Sequence, residues 1–586
     1  MITSSKQKAQ EWANNPAFDS ESRKEVQELI NSGDDKEIEE RFYKELAFGT
    51  GGMRAILGQG TNRLNKYNIR KATHAISLVI LKDHSSDNRV VISYDSRNYS
   101  LEFAKEAAGV FAANGIKALI YKRLNPVALC SFAIRHHKCR AGVMVTASHN
   151  PPEYNGFKVF WDDGAQVTPP NDANVIEAFN SLNDYSSLPH MDFEQGREKG
   201  LIEWLGEETE ELYYEKIKNK CQRLELTQKS GSKLQIIYTA LHGTGSYPCL
   251  KALKNIGLTN VVSVAEQDKP DGSFPTVSSP NPENPEALAM AVELMKKNNA
   301  DIVMGTDPDT DRVGVSLLHQ DSVHYLNGNQ IGLLMLNYIL KTHREKGTMP
   351  KNPYFVKTIV TTELQTLIAN SYDVETENTL TGFKWICRRM GEIAKEQPER
   401  SFVFATEESF GYLSHEYVRD KDGVSSIALM GEVALYYKER GMTLIDGLDE
   451  IYEEHGFSQE LLLSLNFYGL EGAAKIQRIM DVFRDYSEEG LSSEVIESLT
   501  DYQNLEIKSF SDGSKKPLGF GFKSNVLGFS FNSGNKLFLR PSGTEPKIKF
   551  YITIAEKKGS LLDKKRIAIE KAQAMVDILK KKVEAI

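Results

Sequence analysis

Short β-branched runs alternate with helical-period stretches along most of this chain. Arg89–Tyr94 predicts a strand, the apolar spacing of Leu101–Asn114 a helix, Lys117–Tyr121 a strand, Ala128–His137 a helix and Ala141–Thr146 a third strand. The pattern recurs as Leu234–Tyr238, a helix near Tyr247–Asn255, Asn260–Val264, a helix near Pro285–Asn298 and Ala300–Met304. It recurs again as Tyr354–Val360, Glu363–Asn370, Val374–Thr376, Phe383–Glu396 and Phe402–Ala405. Such alternation implies right-handed crossovers and parallel-rich sheets. From about His455 the pattern changes, ending in Lys536–Arg540, a polar loop, a strand Lys547–Ile554 and a lysine-rich helix. Gln228–Lys233 reads as a polar hinge, and Lys269–Pro285 as a long ordered loop.

Each of the three related units ends its last apolar strand in a polar loop: Thr146–Pro151, Thr306–Arg312 and Thr406–Gly411. Ligands of open α/β sheets bind beyond the carboxyl ends of strands, so the three loops are expected to share a cleft. The 586 residues suffice for about four domains. The net charge of −9 and the lack of a basic tract argue against nucleic acid as a partner. No apolar run approaches the roughly 20 residues of a membrane span. The five cysteines, without a Cys-x-x-Cys pair, point to a reducing cytoplasm.

Asp307, Asp309 and Asp311 alternate, and in an extended segment they would point to one side. Three such carboxylates repel one another unless a hard cation lies among them. An EF-hand fails, since Arg312 and Leu318 stand where glycine and glutamate are needed. With three protein ligands and open positions, magnesium suits the site. Ser148 follows a buried strand, but a serine needs a base, a metal or prior modification to react. Taken alone it reads as well as a capping residue, and the adjacent His149 does not make a hydrolase triad. Arg540-Pro-Ser-Gly-Thr-Glu-Pro-Lys547 has the donors of a phosphate clamp, or of an ordinary turn. The Walker A motif is absent, and Phe48–Arg54 is a glycine-rich loop without a dinucleotide spacing.

Together, Thr146-Ala-Ser148-His-Asn-Pro151 with Tyr154–Lys158, Asp307-Pro-Asp-Thr-Asp-Arg312, Glu407-Glu-Ser409 and Arg540–Pro546 occur in an order that resembles the α-D-phosphohexomutases. Gly49–Arg54 and Leu380–Lys384 resemble the long phosphoglucomutase branch of that family, and the likeness runs from about Phe42 to Tyr551. It implies four domains around a central cleft: three related α/β domains with mixed, parallel-rich sheets (1–205, 206–325, 326–455) and a C-terminal α+β phosphate-binding domain (456–586). It implies that Ser148 carries the transferring phosphoryl group and that Ser148, Asp307, Asp309 and Asp311 hold Mg²⁺. Arg54 and Lys158 would act beside that group. Arg312, Lys384, Glu407, Ser409 and Lys421 would contact the phosphosugar, and Arg540, Ser542, Gly543 and Thr544 the phosphate that is not transferred. The implied reaction interconverts glucose 1-phosphate and glucose 6-phosphate through glucose 1,6-bisphosphate. Phosphomannomutase, phosphopentomutase, sugar-bisphosphate synthase and silent sugar-phosphate binder are the alternatives. Small sugar phosphates are the expected partners, and the oligomeric state is left open. Departures from the family pattern (Val127-Ala128, Ala240 and Thr310) remove no charged or nucleophilic group.

Overall fold

The computed structural model describes residues 2–82, 87–467, 469–486, 491, 494–542 and 547–586. By its backbone contacts the chain divides into two compact units, 1–357 with 382–443, and 358–381 with 444–586.

In the first unit, β1 (Gly52–Ile56), β2 (Arg89–Tyr94), β3 (Lys117–Tyr121), β4 (Ala141–Val145), β5 (Tyr154–Trp161) and β6 (Ile202–Leu205) form one sheet in the order β1-β5-β4-β2-β3-β6. The three strands expected here are its parallel centre, with β2 beside β3 and β4 and β3 beside β6. Their residues are buried on both faces, as a sheet covered by helices requires. The helix Lys66–Leu81 and the Ala-rich helix Ser100–Ala113 supply Ile69, Ala72, Ile76, Ala104 and Ala108 to the same core. An antiparallel edge, β4-β5-β1, was not foreseen from periodicity. It turns the glycine-rich segment into a strand, with Gly52 opposite Lys158 and Arg54 opposite Gly156. Gly52 has φ +130°, and a Cβ there would lie 1.9 Å from the Phe157 carbonyl oxygen, so the close pairing needs glycine.

The second repeat forms β7 (Ile236–Thr239), β8 (Val261–Ser263), β9 (Ile302–Thr306), β10 (Val313–His319) and β11 (Ser322–Leu326), ordered β11-β10-β9-β7-β8. Parallel β8-β7-β9 continues into antiparallel β10 and β11, so the acidic loop is the hairpin between β9 and β10. In the third repeat β12 (Pro353–Thr358) runs parallel to β14 (Ser401–Glu407), which pairs antiparallel with β15 (Gly411–Leu413). The expected hinge Gln228–Lys233 is instead the end of a helix, Leu224–Ser230, and a 3₁₀ turn, Gly231–Lys233. Thr227 and Ser230 are buried, and Gly231 packs so closely that a Cβ would lie 2.2 Å from the Gly257 oxygen. Its polar side chains sit on a packed helix, and composition alone does not reveal that. The stretch from Lys269 to Asn284 is a long loop, as expected, whose Asn281 and Pro282 are buried.

The second unit contains the helix Leu364–Ser371, strand β13 (Glu375–Thr379) and an antiparallel sheet. That sheet is built from β16 (Phe457–Asn466), β17 (Ile496–Asp501), β18 (Glu506–Ser509), β19 (Lys515–Pro517), β20 (Leu527–Phe531), β21 (Lys536–Pro541) and β22 (Lys547–Glu556). Its order is β16-β22-β21-β20-β17-β18-β19. The C-terminal helix, Leu561–Ala585, buries Ala568, Ala572, Met575, Leu579 and Val583, a stripe of helical period. No helix among the described residues is long and apolar enough to cross a membrane.

Candidate active site

Ser148 lies in the loop after β4, buried, with φ +52°, a left-handed conformation costly for a residue with a Cβ. Arg97, from the loop after β2, holds that strained turn through its main chain. Its Nη1 donates to the carbonyl oxygens of Pro151 and Tyr154, both at 2.9 Å. Its Nη2 donates to the Ser148 oxygen at 2.6 Å and to the Asn150 oxygen. Asp95 compensates the buried guanidinium at 3.5 Å, and Phe274 packs on its face with 4.9 Å to the ring centre. Thr146 Oγ1 accepts the Ser148 N–H at 2.8 Å, so the hydroxyl is aimed by contacts that do not involve its own side chain.

The Ser148 hydroxyl donates to Asp307 Oδ2 at 2.8 Å and lies 3.2 Å from His149 Nδ1, so the neighbouring ring reaches it after all. The turn 307–311 is not extended: Thr310 has φ +55°, and Asp307 Oδ1 accepts the N–H groups of Asp311 and Arg312, both at 3.0 Å. The three carboxylates converge nonetheless, with one oxygen from each within 4.8 Å of the others. Backbone curvature, not strand alternation, brings them together.

Lysines meet this charge from two sides. Lys158, on β5, donates to Asp309 Oδ2 at 2.7 Å and Asp311 Oδ2 at 3.1 Å, and Lys421 lies 3.2 Å from Asp311 Oδ2. Burial and the two neighbouring carboxylates push Asp307 well above the usual carboxylate range. Burial acts the same way on Asp311, but Lys158 and Lys421 outweigh it and hold that carboxyl low. Burial disfavours the charge of Lys158, yet Asp309 and Asp311 raise its pKa. Burial, Arg312 and Arg54 push His149 far below its ordinary value, so its ring is neutral. Asp309 Oδ1 and Asp311 Oδ1 are buried and accept no hydrogen bond within the protein. Three converging carboxylates, two of which keep a bare, buried oxygen, fit a hard divalent cation, and the arrangement suits metal-assisted chemistry at the Ser148 oxygen.

The remaining candidates fall at different distances from this centre. Arg54 donates to Asn150 Oδ1 at 2.9 Å and so borders the Ser148 loop. Lys384 donates to the Thr50 oxygen at 3.1 Å, on the glycine-rich segment. Glu407 ends β14, and a Cβ on Gly411 would lie 2.3 Å from Lys421 Cδ and 3.0 Å from Glu407 Oε1, so all three crowd together. Ser409 is in the turn that follows, between β14 and β15. Arg540 is on β21 opposite Lys549, and the Ser542 N–H donates to the Lys547 oxygen at 2.8 Å, both within the second unit. Gly543 and Thr544 lie outside the described residues. Sequence reasoning missed Arg97, although Asp95-Ser-Arg97 follows its strand just as the other polar loops follow theirs, and it singled out the loop of Thr146 and Asn150 without giving those two a site role.

Burial raises the Glu407 carboxyl to about 7, against the pull of Lys421. Its raised pKa makes the ionised form costly in the folded protein. Stability therefore falls as pH rises from the ordinary carboxylate value to about 7, and is flat above that. Glu407→Gln removes this loss, so its stability advantage over the parent grows by about 2–3 kcal/mol across that window. Urea unfolding at both ends of the window measures it, and a constant difference would show that Glu407 ionises freely.

An α/β scaffold that brings a strained serine against three carboxylates and two lysines has the charge arrangement that phosphoryl transfer needs. Three consecutive segments match the family models for phosphoglucomutase/phosphomannomutase α/β/α domains I (45–186), II (211–319) and III (327–455). The chain is 34% identical over 531 residues to the phosphoglucomutase of Staphylococcus saprophyticus, covering 90% of this chain and 94% of that one. The chain belongs to the phosphoglucomutase/phosphomannomutase family, the α-D-phosphohexomutases. Its fold resembles the open form of pp63/parafusin, a phosphoglucomutase from Paramecium, with a TM-score of 0.64, 15% identity, and 92% of this chain and 96% of that one covered. It also resembles an Aspergillus fumigatus N-acetylphosphoglucosamine mutase in complex with GlcNAc-6P and magnesium, with a TM-score of 0.52 and 14% identity, covering 92% and 96% of the two chains.

Proposed function

We propose that the chain is a phosphoglucomutase, interconverting glucose 1-phosphate and glucose 6-phosphate through a phosphorylated Ser148 and glucose 1,6-bisphosphate. The observation that carries this reading is the Ser148 hydroxyl, 2.8 Å from Asp307 within the buried carboxylate cluster. In the first half-reaction the O–P bond at Ser148 breaks and one forms to the free hydroxyl of the sugar monophosphate; that hydroxyl gives up a proton, and the freed Ser148 oxygen takes one up. In the second, the other O–P bond of the turned bisphosphate breaks and one forms to the Ser148 oxygen, which gives up its proton while the freed sugar oxygen takes one up. Asp307, Asp309 and Asp311 would hold Mg²⁺, which when bound supplies positive charge to the phosphoryl oxygens. Lys158 and Arg54 add fixed charge beside them, and Arg97 keeps the serine oxygen in place. Arg312, Lys384, Glu407, Ser409 and Lys421 would contact the phosphosugar. Arg540, Ser542, Gly543 and Thr544 would form a phosphate-binding loop in the C-terminal region. The domain boundaries proposed with this reading are 1–205, 206–325, 326–455 and 456–586.

The test is ³¹P NMR of the protein with Mg²⁺, a trace of glucose 1,6-bisphosphate and equimolar glucose, mannose and ribose 1-phosphates. Conversion of glucose 1-phosphate well ahead of the others is expected. Preference for mannose or ribose would move the specificity, and no conversion of any would overturn mutase activity.

A further inference from the structure

Arg312 follows the acidic turn, and its side chain is 18% exposed. Its Nε is buried without a hydrogen-bond partner, while Nη1 makes a close ion pair with Glu283 Oε1. Glu283 belongs to the long loop before the helix Ala289–Asn298, at a point where that loop is firmly set. Its N–H donates to Asn281 Oδ1 at 3.2 Å, and the Asn284 N–H to the Asn281 oxygen at 3.0 Å. Pro282 sits so close to the start of β10 that a Cβ on Gly314 would lie 2.4 Å from the Pro282 oxygen. Four residues before Glu283, Ser279 Oγ donates to the His149 oxygen at 2.9 Å. One tight segment thus touches the Ser148 loop through Ser279 and the acidic turn through Glu283.

A guanidinium bound to a carboxylate is not fully available to a phosphate, since both compete for the same N–H donors. Resting on the phosphoryl-transfer reading above, we propose that Glu283 is a positioning residue that sets how strongly Arg312 holds a phosphate. Its carboxylate aims the guanidinium and opposes part of its charge. A site that must release a bisphosphate and take it back turned gains nothing from binding every state more tightly, because uniform binding lowers KM without raising kcat.

Glu283→Gln keeps the shape and removes the opposing charge. It should lower KM for glucose 1-phosphate and the inhibition constant of inorganic sulfate by about fivefold each, with kcat unchanged or reduced. Glu283→Asp, which keeps the charge, should restore both constants to within about twofold of the parent. Unchanged constants in Glu283→Gln would overturn the inference, as would a rise in both, or an Asp variant that behaves like the Gln variant. A second arm needs no turnover: the sulfate-induced rise in melting temperature should be larger for Glu283→Gln than for the parent. If the parent converts no sugar phosphate, the mutase reading fails, and this arm still tests the ion pair. Equal sulfate shifts in parent and variant would overturn the inference whatever the enzyme's activity.

Discussion

Turnover of glucose 1-phosphate by Ser148→Ala falls by about 10⁴-fold or more, the scale seen when a covalent nucleophile is removed. The reason is stoichiometric: the proposed phosphoryl group leaves and returns through the Ser148 oxygen, and alanine has none. Little else should change. Arg97 fixes the loop through main-chain oxygens of residues 148, 150, 151 and 154, which alanine retains, and Thr146 still accepts the residue 148 N–H. The lost hydroxyl removes the hydrogen bond to Asp307 and the longer contact to His149, so stability should shift by only about 1–2 kcal/mol. Calorimetric affinity for glucose 1-phosphate should stay within a few-fold of the parent. Mass spectrometry should find phosphate on the Ser148 peptide of the parent and none in the variant. A variant retaining more than about 1% of parental turnover would place the transferring group elsewhere.

The central strands were legible because burial on both faces leaves an unmistakable β-branched run, as in Arg-Val-Val-Ile-Ser-Tyr94. The antiparallel strands at one side of the sheet were not. β1 grows out of a glycine-rich segment, and β5 carries Asn155, Gly156 and Lys158, because it borders the site and must admit a lysine between carboxylates. Local propensity reads such residues as loop, and only the pairing with β4 makes them strand. The same holds for the acidic turn. Alternation suggested one face of an extended segment, yet the convergence comes from left-handed Thr310 and from two backbone N–H groups on Asp307. The residue types were readable and the mechanism of their convergence was not. The roles of Arg97 and Glu283 were hidden for a further reason. Their partners are 51 and 29 positions away, so the strand-end position of Asp95-Ser-Arg97 marks a polar loop but not what Arg97 holds, and nothing local marks Glu283.

Asp307→Asn should abolish the stabilisation of the protein by Mg²⁺ while leaving the metal-free fold as stable as the parent, or more so. Asparagine can keep the backbone hydrogen bonds and reverse the one to Ser148: its Oδ1 still accepts from the Asp311 and Arg312 N–H groups, and its amide, in place of Oδ2, donates to the Ser148 oxygen. It removes one of three buried carboxylates that repel one another, two of which remain paired with Lys158 and Lys421. The metal-free protein therefore loses two repulsions against one attraction, that of Arg312. A cation would lose a charged ligand, leaving Asp309 and Asp311 as the remaining carboxylates to hold it. For the parent, Mg²⁺ at 100 times its Kd should add about 2.7 kcal/mol, and EDTA should reverse that gain. The variant should show neither response and lose turnover by about 10²-fold or more. Thermal unfolding with Mg²⁺, with EDTA and with neither separates the two states of each protein. An undiminished Mg²⁺ response in Asp307→Asn would mean that the cation binds away from this turn, and a variant much less stable than the metal-free parent would mean that the Asp307 charge is needed by the fold itself.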